Sequence, residues 1–254
     1  MAHKDSLLPR TAALWARVEN DQDLRGFVLV GGTALALHIR HRLSEDLDFA
    51  WAHVSPEHAG GQVLPQQRIS HLIQALQQEG MDVRKISHIA QEQDFLNDGL
   101  VLAEYQQDYL INGVKVTFFK ASQELAQVLR DDTAKAQTQP CVASLEALFK
   151  AKSLVLAERN KSRDWLDLYV LIRDHGFSVT SVRQTFIDVG QPYSWDVAAS
   201  RLVSLQPSDQ DEGYSHLIER APTLEDMRVF FRKALDQMVQ EASVQPHTAK
   251  TPSF

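Results

Sequence analysis

The 254-residue sequence predicts an α+β fold, with strands and helices first and a helical half after them. Three observations carry that reading. Phe27 to Phe49 runs strand, glycine turn, helix, loop, strand; Asn112-Gly113 joins two apolar runs; and from Leu145 onward the apolar residues recur with a helical period.

Each element follows from its residues. Phe27–Val30 is continuously apolar, Gly31-Gly32 punctuates it, Thr33–Ile39 suits a helix, and Leu47–Phe49 opens a second strand. Ala52–Gln66 carries Pro56, Pro65 and Gly60-Gly61 and reads as a loop. Over Arg68–Gln78 the residues Ile69, Leu72, Ile73 and Leu76 share one helical face, and Asp82–Ile89 reads as a strand. Asp108–Ile111 and Val114–Phe119 flank Asn112-Gly113, the dipeptide favoured by type I′ turns because both central residues need positive φ. Residues 131–140 are polar, end in Pro140 and read as a connector. Helices are expected at 145–159, 163–174, 180–188, 195–204 and 223–240, with Pro246 and Pro252 in a frayed tail. The expected domains are 1–130 and 141–254, with disorder after about 243.

Composition narrows the class. Hydrophobic residues at 44% and charged residues at 23% are ordinary for a soluble globular chain. No apolar run is long enough for a membrane span, and the N-terminus lacks the apolar core of a signal peptide, so a cytoplasmic location is expected. The single cysteine, Cys141, excludes an internal disulfide framework, fits a reducing compartment and is expected to serve as a small buried hydrophobe. A net charge of −7 disfavours broad, non-specific nucleic-acid binding while leaving room for a local basic patch.

The chemistry concentrates in Gly31 to Phe49, GGTALALHIRHRLSEDLDF. Glycines allow close backbone approach to a ligand, Thr33 has the hydroxyl of a helix cap, and a helix N-terminus with free N–H groups favours phosphate. In Asp46-Leu47-Asp48-Phe49 the strand alternation places Asp46 and Asp48 on one face and turns Leu47 and Phe49 to the core. Two such carboxylates can converge on a divalent cation with hard-oxygen preference; the plain alternative is a solvated strand edge.

A second cluster lies at Lys152 to Tyr169. Leu145, Leu148, Phe149, Lys152 and Leu156 form one helical stripe, so the Lys152 ammonium is expected on an apolar face, meeting either a carboxylate or a nucleotide phosphate. Lys150 lies off the stripe and is expected at the surface. Ser162 reads as an N-cap with Asp164 in the first turn, which already accounts structurally for Asp164; Asp167 is placed to pair with Arg159 or Arg163. His38 and His41 are expected on a helix surface, and Trp165, Tyr169, Phe230 and Phe231 in the core. The sequence holds no Walker A pattern, HExxH or CxxC.

Gly31-Gly32-Thr33 followed by Asp46-x-Asp48 resembles the first motif of polymerase-β-type nucleotidyltransferases, and the fuller string through Arg42, Ser44 and Phe49 is similar to the AbiEii branch, toxins of abortive-infection and toxin–antitoxin systems. Lys152, Arg159, Arg163-Asp164, Asp167-Leu168-Tyr169 resemble that family's helical motif. The resemblance covers about residues 26–51 and 145–172, more loosely 110–120. It implies a core of mixed sheet flanked by helices and NMP transfer from an NTP, assisted by Mg²⁺ or Mn²⁺, to a tRNA or protein acceptor, with a cognate antitoxin as possible partner. Asp46 and Asp48 would hold the metal; Gly31, Gly32 and Thr33 would cradle phosphates; Lys152 would neutralise triphosphate charge; Asp164 would orient Lys152 or the acceptor. One position departs: where such enzymes usually carry a third carboxylate the sequence has Thr117, so Glu104 or Asp108 substitutes, acceptor activation differs, or the enzyme is weakened. The rival readings are a degenerate member that binds nucleotide without turnover, and a helical interaction module or antitoxin-like regulator.

Overall fold

The computed structural model describes residues 6–52 and 63–244. The chain forms two compact units, Met1–Lys152 with His216–Glu219, and Ser153–Ser215 with Arg220–Phe254.

In the first unit the described elements are α1 (Pro9–Val18), β1 (Phe27–Val30), α2 (Gly31–Ile39), β2 (Leu47–Trp51), α3 (Gln66–Gln78), β3 (Val83–Ile86), α4 (Ile89–Asn97), β4 (Gln106–Ile111), β5 (Val114–Lys120), α5 (Gln123–Val128), α6 (Arg130–Lys135) and β6 (Cys141–Val142). The helix α7 (Leu145–Val155) starts in this unit and ends in the second. The strands form one mixed sheet in the order β3-β4-β5-β2-β1-β6. β2 runs parallel to β5 and β1 parallel to β6, while the other neighbours are antiparallel.

The strand alternation gives the sheet two different faces. On one, Phe49 and Phe118 stack at 5.5 Å, Phe27 meets both edge-on, Tyr109 joins Phe118 at 6.1 Å, and Trp15 of α1 lies against Phe49. These rings are nearly all fully buried, and truncating one of the phenylalanines costs about 3–5 kcal/mol. Residues of the intervening register, among them Asp48 and Thr117, belong to the other face. The hairpin forms as its dipeptide predicts: Asn112 and Gly113 take φ of 47° and 75° between β4 and β5.

Several local readings need correction. The second helix begins at Gly31, so its N-cap is Val30 and Thr33 lies inside the helix rather than capping it. β2 begins at Leu47, which leaves Asp46 one residue before the strand. The polar stretch 131–140 is partly helical: α6 runs into it, and its buried Asp132 accepts from the Ser144 amide and hydroxyl at 2.8 and 3.0 Å. Cys141 is half-buried in a short strand that pairs with β1, rather than fully buried. His41 falls beyond the end of α2, while His38 sits in its last turn and bonds the Ala143 carbonyl at 2.8 Å. Lys150 pairs with Glu146 at 2.7 Å along the helix. Helix α4 has no buried residue and so no apolar stripe to reveal it. The expected loop features Pro56 and Gly60-Gly61, and the tail beyond 244, lie outside the described residues.

The second unit contains α8 (Ser162–Asp174), α9 (Val179–Asp188), α10 (Ser194–Ser204) and α11 (Leu224–Val244) and, among the described residues, no strand. The helix spans lie within a few residues of the periodic segments. Trp165 and Phe231 are fully buried, and Tyr169 meets Phe230 edge-on at 4.9 Å. Ser162 is the first residue of α8 rather than its cap; its amide and hydroxyl both bond Asp211, at 2.9 and 2.5 Å.

Candidate functional site

Asp48 sits in β2 directly beside Val30, the last residue of β1, so its side chain meets the chain where it turns into α2. Gly31 makes that turn with φ +72°, a conformation L side chains rarely adopt. A Cβ there would also stand 2.5 Å from Asp48 Oδ2. Two independent constraints therefore require glycine, and the carboxylate lies against the N-terminal backbone of a helix whose positive end favours negative charge. Asp46 and Asp48 are both half-buried, while Leu47 and Phe49 between and after them are buried, as the alternation requires.

Gly32 is tight for a different reason. The space its side chain would need is taken by Arg42 Nη2 and Ser44 Oγ. Thr33 is buried; its hydroxyl bonds Ser44 Oγ at 2.9 Å and also reaches the Asp46 carbonyl. The first turn of α2 is thereby tied to the segment that delivers the two aspartates. Arg42 and Ser44 are themselves 6% and 4% exposed. Their importance was not apparent from residue type. The available signal was their fixed place between the glycine turn and the paired aspartates.

The sheet register adds residues that no local pattern links. Asp48 lies beside Thr117 on β5, and Thr117 lies opposite Asp108 on β4, so the three side chains form a row on one face. Asp108 is 1% exposed; its Oδ2 accepts from His88 Nε2 at 2.5 Å and from Gln106 Nε2 at 2.7 Å. Burial pushes this carboxyl up, but hydrogen bonds from Thr117, Gln106 and His88 and the nearby Lys115 charge outweigh it and hold the group below the usual carboxylate range. Glu104 is in a short helical turn before β4 and outside this row.

Lys152 belongs to the first unit and is 7% exposed, with Leu148 and Phe149 of the same stripe at 1% each. Asp164 belongs to the second unit. It is 2% exposed and accepts both Nε and Nη2 of Arg159, at 2.8 and 3.2 Å. Arg159 thus pairs with Asp164, and Arg163 donates to the Gly213 carbonyl at 2.9 Å. Asp167 is fully buried.

The donor chemistry at Asp46 and Asp48 fits a hard divalent cation: carboxylate oxygens, partly open to solvent, beside a backbone that only glycine permits. Among the described residues no cluster of three or more His, Cys, Asp or Glu offers a metal cage. No described helix is long and apolar enough to cross a membrane.

Comparison with known proteins shows the family. A protein of Aquifex aeolicus (strain VF5), described as "Uncharacterized protein aq_aa25", is 22% identical over 214 residues, covering 84% of this chain and 88% of that one. The family model described as "Nucleotidyl transferase AbiEii toxin, Type IV TA system" matches residues 13–242, taking in the glycine turn, both aspartates, the whole sheet and Lys152 through Asp167. The chain belongs to the AbiEii nucleotidyl transferase toxin family.

Proposed function

We propose that this chain transfers NMP from a nucleoside triphosphate to a hydroxyl of an RNA, such as tRNA, or of a protein. The observation that carries the proposal is Asp48 set against the Gly31 turn at the start of α2, with Asp46 two residues before it. Family membership supports nucleotidyl transfer within a toxin–antitoxin system, and hence a cognate antitoxin as partner.

In this reading Asp46 and Asp48 hold Mg²⁺ or Mn²⁺. Once bound, the cation supplies positive charge against the triphosphate as pyrophosphate leaves. The backbone of Gly31, Gly32 and Thr33 at the positive end of α2 receives phosphate oxygens, and the Thr33 hydroxyl holds that backbone to Ser44 and Asp46. Lys152 neutralises triphosphate charge, and Asp164 orients the acceptor; both assignments rest on the family motif. The acceptor oxygen bonds to the α-phosphorus, the bond from that phosphorus to the bridging oxygen breaks, pyrophosphate departs, and the hydroxyl proton passes to solvent. Catalysis of this kind is positioning and electrostatics rather than covalent work.

The domain organisation is part of the proposal: a nucleotidyltransferase core over about 1–130 and a helical domain over 141–254, acting in the cytoplasm. The test is incubation with each α-labelled NTP, Mg²⁺ or Mn²⁺, and total tRNA or cell lysate, beside γ-labelled NTP. Label from the α but not the γ position entering a macromolecule supports the reading. Nucleotide binding with no such transfer, under any base and acceptor, replaces it with a degenerate, binding-only member.

A further inference from the structure

The position expected to hold a third carboxylate carries Thr117, yet a carboxylate stands on the same face one strand further out. Asp48, Thr117 and Asp108 are register neighbours across β2, β5 and β4. At about 4.8 Å per strand, Asp108 lies roughly 10 Å from Asp48 at the backbone, too far to share a ligand with it directly. Thr117 fills the interval.

The hydrogen-bond inventory of Asp108 fixes what Thr117 does. Oδ2 is engaged by His88, which follows β3 on the side away from β5, and by Gln106 along β4 itself. Oδ1 is buried and has no hydrogen-bond partner among the described residues. The group next to the carboxylate on the β5 side is the Thr117 hydroxyl, itself 9% exposed, and it is among the groups that hold Asp108 ionised. An ionised carboxylate only accepts, and a hydroxyl has one hydrogen and two lone pairs. Beside a buried carboxylate the hydrogen goes to the charge. What Thr117 then offers its other neighbours is lone pairs alone.

We propose that Asp108, clamped by His88 and Gln106, is a positioning residue that captures the Thr117 hydroxyl hydrogen, so that Thr117 presents an acceptor oxygen beside Asp48. There it receives a hydrogen bond from the attacking hydroxyl or a site water and orients the nucleophile without being a base. The inference rests on the nucleotidyltransferase reading. It assigns to the pair Thr117–Asp108 the orienting part of a third carboxylate's work, and gives His88 and Gln106 the task of keeping Asp108 in place. A purely structural clamp on the β3–β4 edge predicts no effect on turnover.

The experiment compares wild type with Thr117→Val, Thr117→Ser, Asp108→Asn, the double variant and Asp48→Ala. It reads kcat, NTP KM, Mn²⁺ affinity by electron paramagnetic resonance, and melting temperature. The Asp108 carboxyl ¹³C resonance is followed against pH in the nucleotide-free protein. Thr117→Val and Asp108→Asn should each lower kcat about ten- to a hundredfold, the worth of one charge-assisted hydrogen bond, with KM and Mn²⁺ affinity within about twofold. Thr117→Ser restores most of kcat, the double variant is no worse than Thr117→Val, and Thr117→Val but not Thr117→Ser raises the Asp108 midpoint. Asp108→Asn turning over at the wild-type rate, additive losses in the double variant, or an Asp108 resonance indifferent to Thr117→Val overturns the proposal. Failure of the underlying reading looks different: no transfer by wild type, or transfer undiminished in Asp48→Ala.

Discussion

Gly31→Ala perturbs the site through two effects that can be separated. The first is conformational. At φ +72° an alanine is strained by about 1–2 kcal/mol, which for a chain of this size lowers the melting temperature by about 2–8 °C. The second is steric and local. The new methyl would stand 2.5 Å from Asp48 Oδ2 where ordinary contact begins at 3.4 Å, so the carboxylate or the turn must give way by about 0.9 Å. The strand beneath Asp48 is paired on both sides, and the Asp48 Cγ is also tight against the methyl at 3.3 Å, so rotation of the side chain gives only partial relief. A displacement near 1 Å of a group that positions substrate costs about a hundredfold in rate. Gly80 is the control: its φ is +86° and nothing lies within 4 Å of its missing Cβ. Melting followed by circular dichroism should show similar losses for Gly31→Ala and Gly80→Ala. Transfer of α-labelled NMP should fall about a hundredfold for Gly31→Ala and stay at the wild-type level for Gly80→Ala. Wild-type transfer by Gly31→Ala, with the same loss of melting temperature, would refute the placement of Asp48 in the site.

Further outcomes follow from other parts of the structure. Lys152→Met keeps the apolar stem on the α7 stripe; NTP affinity by calorimetry should drop at least tenfold with melting changed by a few degrees, whereas full activity in a strongly destabilised variant assigns Lys152 to a structural ion pair. Arg159→Ala leaves the buried Asp164 carboxylate short of two hydrogen bonds. Because Arg159 is half exposed, the loss in denaturant unfolding should be about 1–3 kcal/mol rather than the larger penalty of a fully buried pair, and no loss contradicts the pairing. Burial, reinforced by the Asp132 charge, pushes the Cys141 thiol up to about 11. A raised folded value means its stabilising contribution is complete below the ordinary thiol pKa and is lost as pH rises toward 11, so iodoacetamide should label the folded protein slowly at pH 8 and the urea-unfolded chain fast. Equal labelling rates contradict that.

How much of this was legible in the sequence depends on the range of the interaction. Period-two alternation read correctly which of Asp46 to Phe49 would be buried, and Asn112-Gly113 specified its hairpin through the two positive φ values it tolerates. The Thr33 cap was misread because the helix starts two residues earlier, on a glycine whose unusual φ no apolar pattern encodes. The same holds for Ser162, whose partner Asp211 is 49 residues away. The row Asp48–Thr117–Asp108 needed the strand order: β5 comes to lie between β2 and β4 through a parallel pairing, and nothing local in any of the three segments announces it. Arg42 and Ser44 were visible as motif letters, but their burial against Gly32 is a tertiary fact. Helix α4 left no signal because it buries nothing.

The central claim is that Asp48 holds the cation for nucleotidyl transfer, and Asp48→Ala tests it most directly. Wild type and variant should be assayed together for transfer of α-labelled NMP and for thermal melting. Asp48 is half-buried and its neighbours on the core face are unaffected by its loss, so the fold should survive, with melting temperature within a few degrees of wild type. Transfer should fall to background. A folded Asp48→Ala protein that transfers NMP at the wild-type rate would contradict the account.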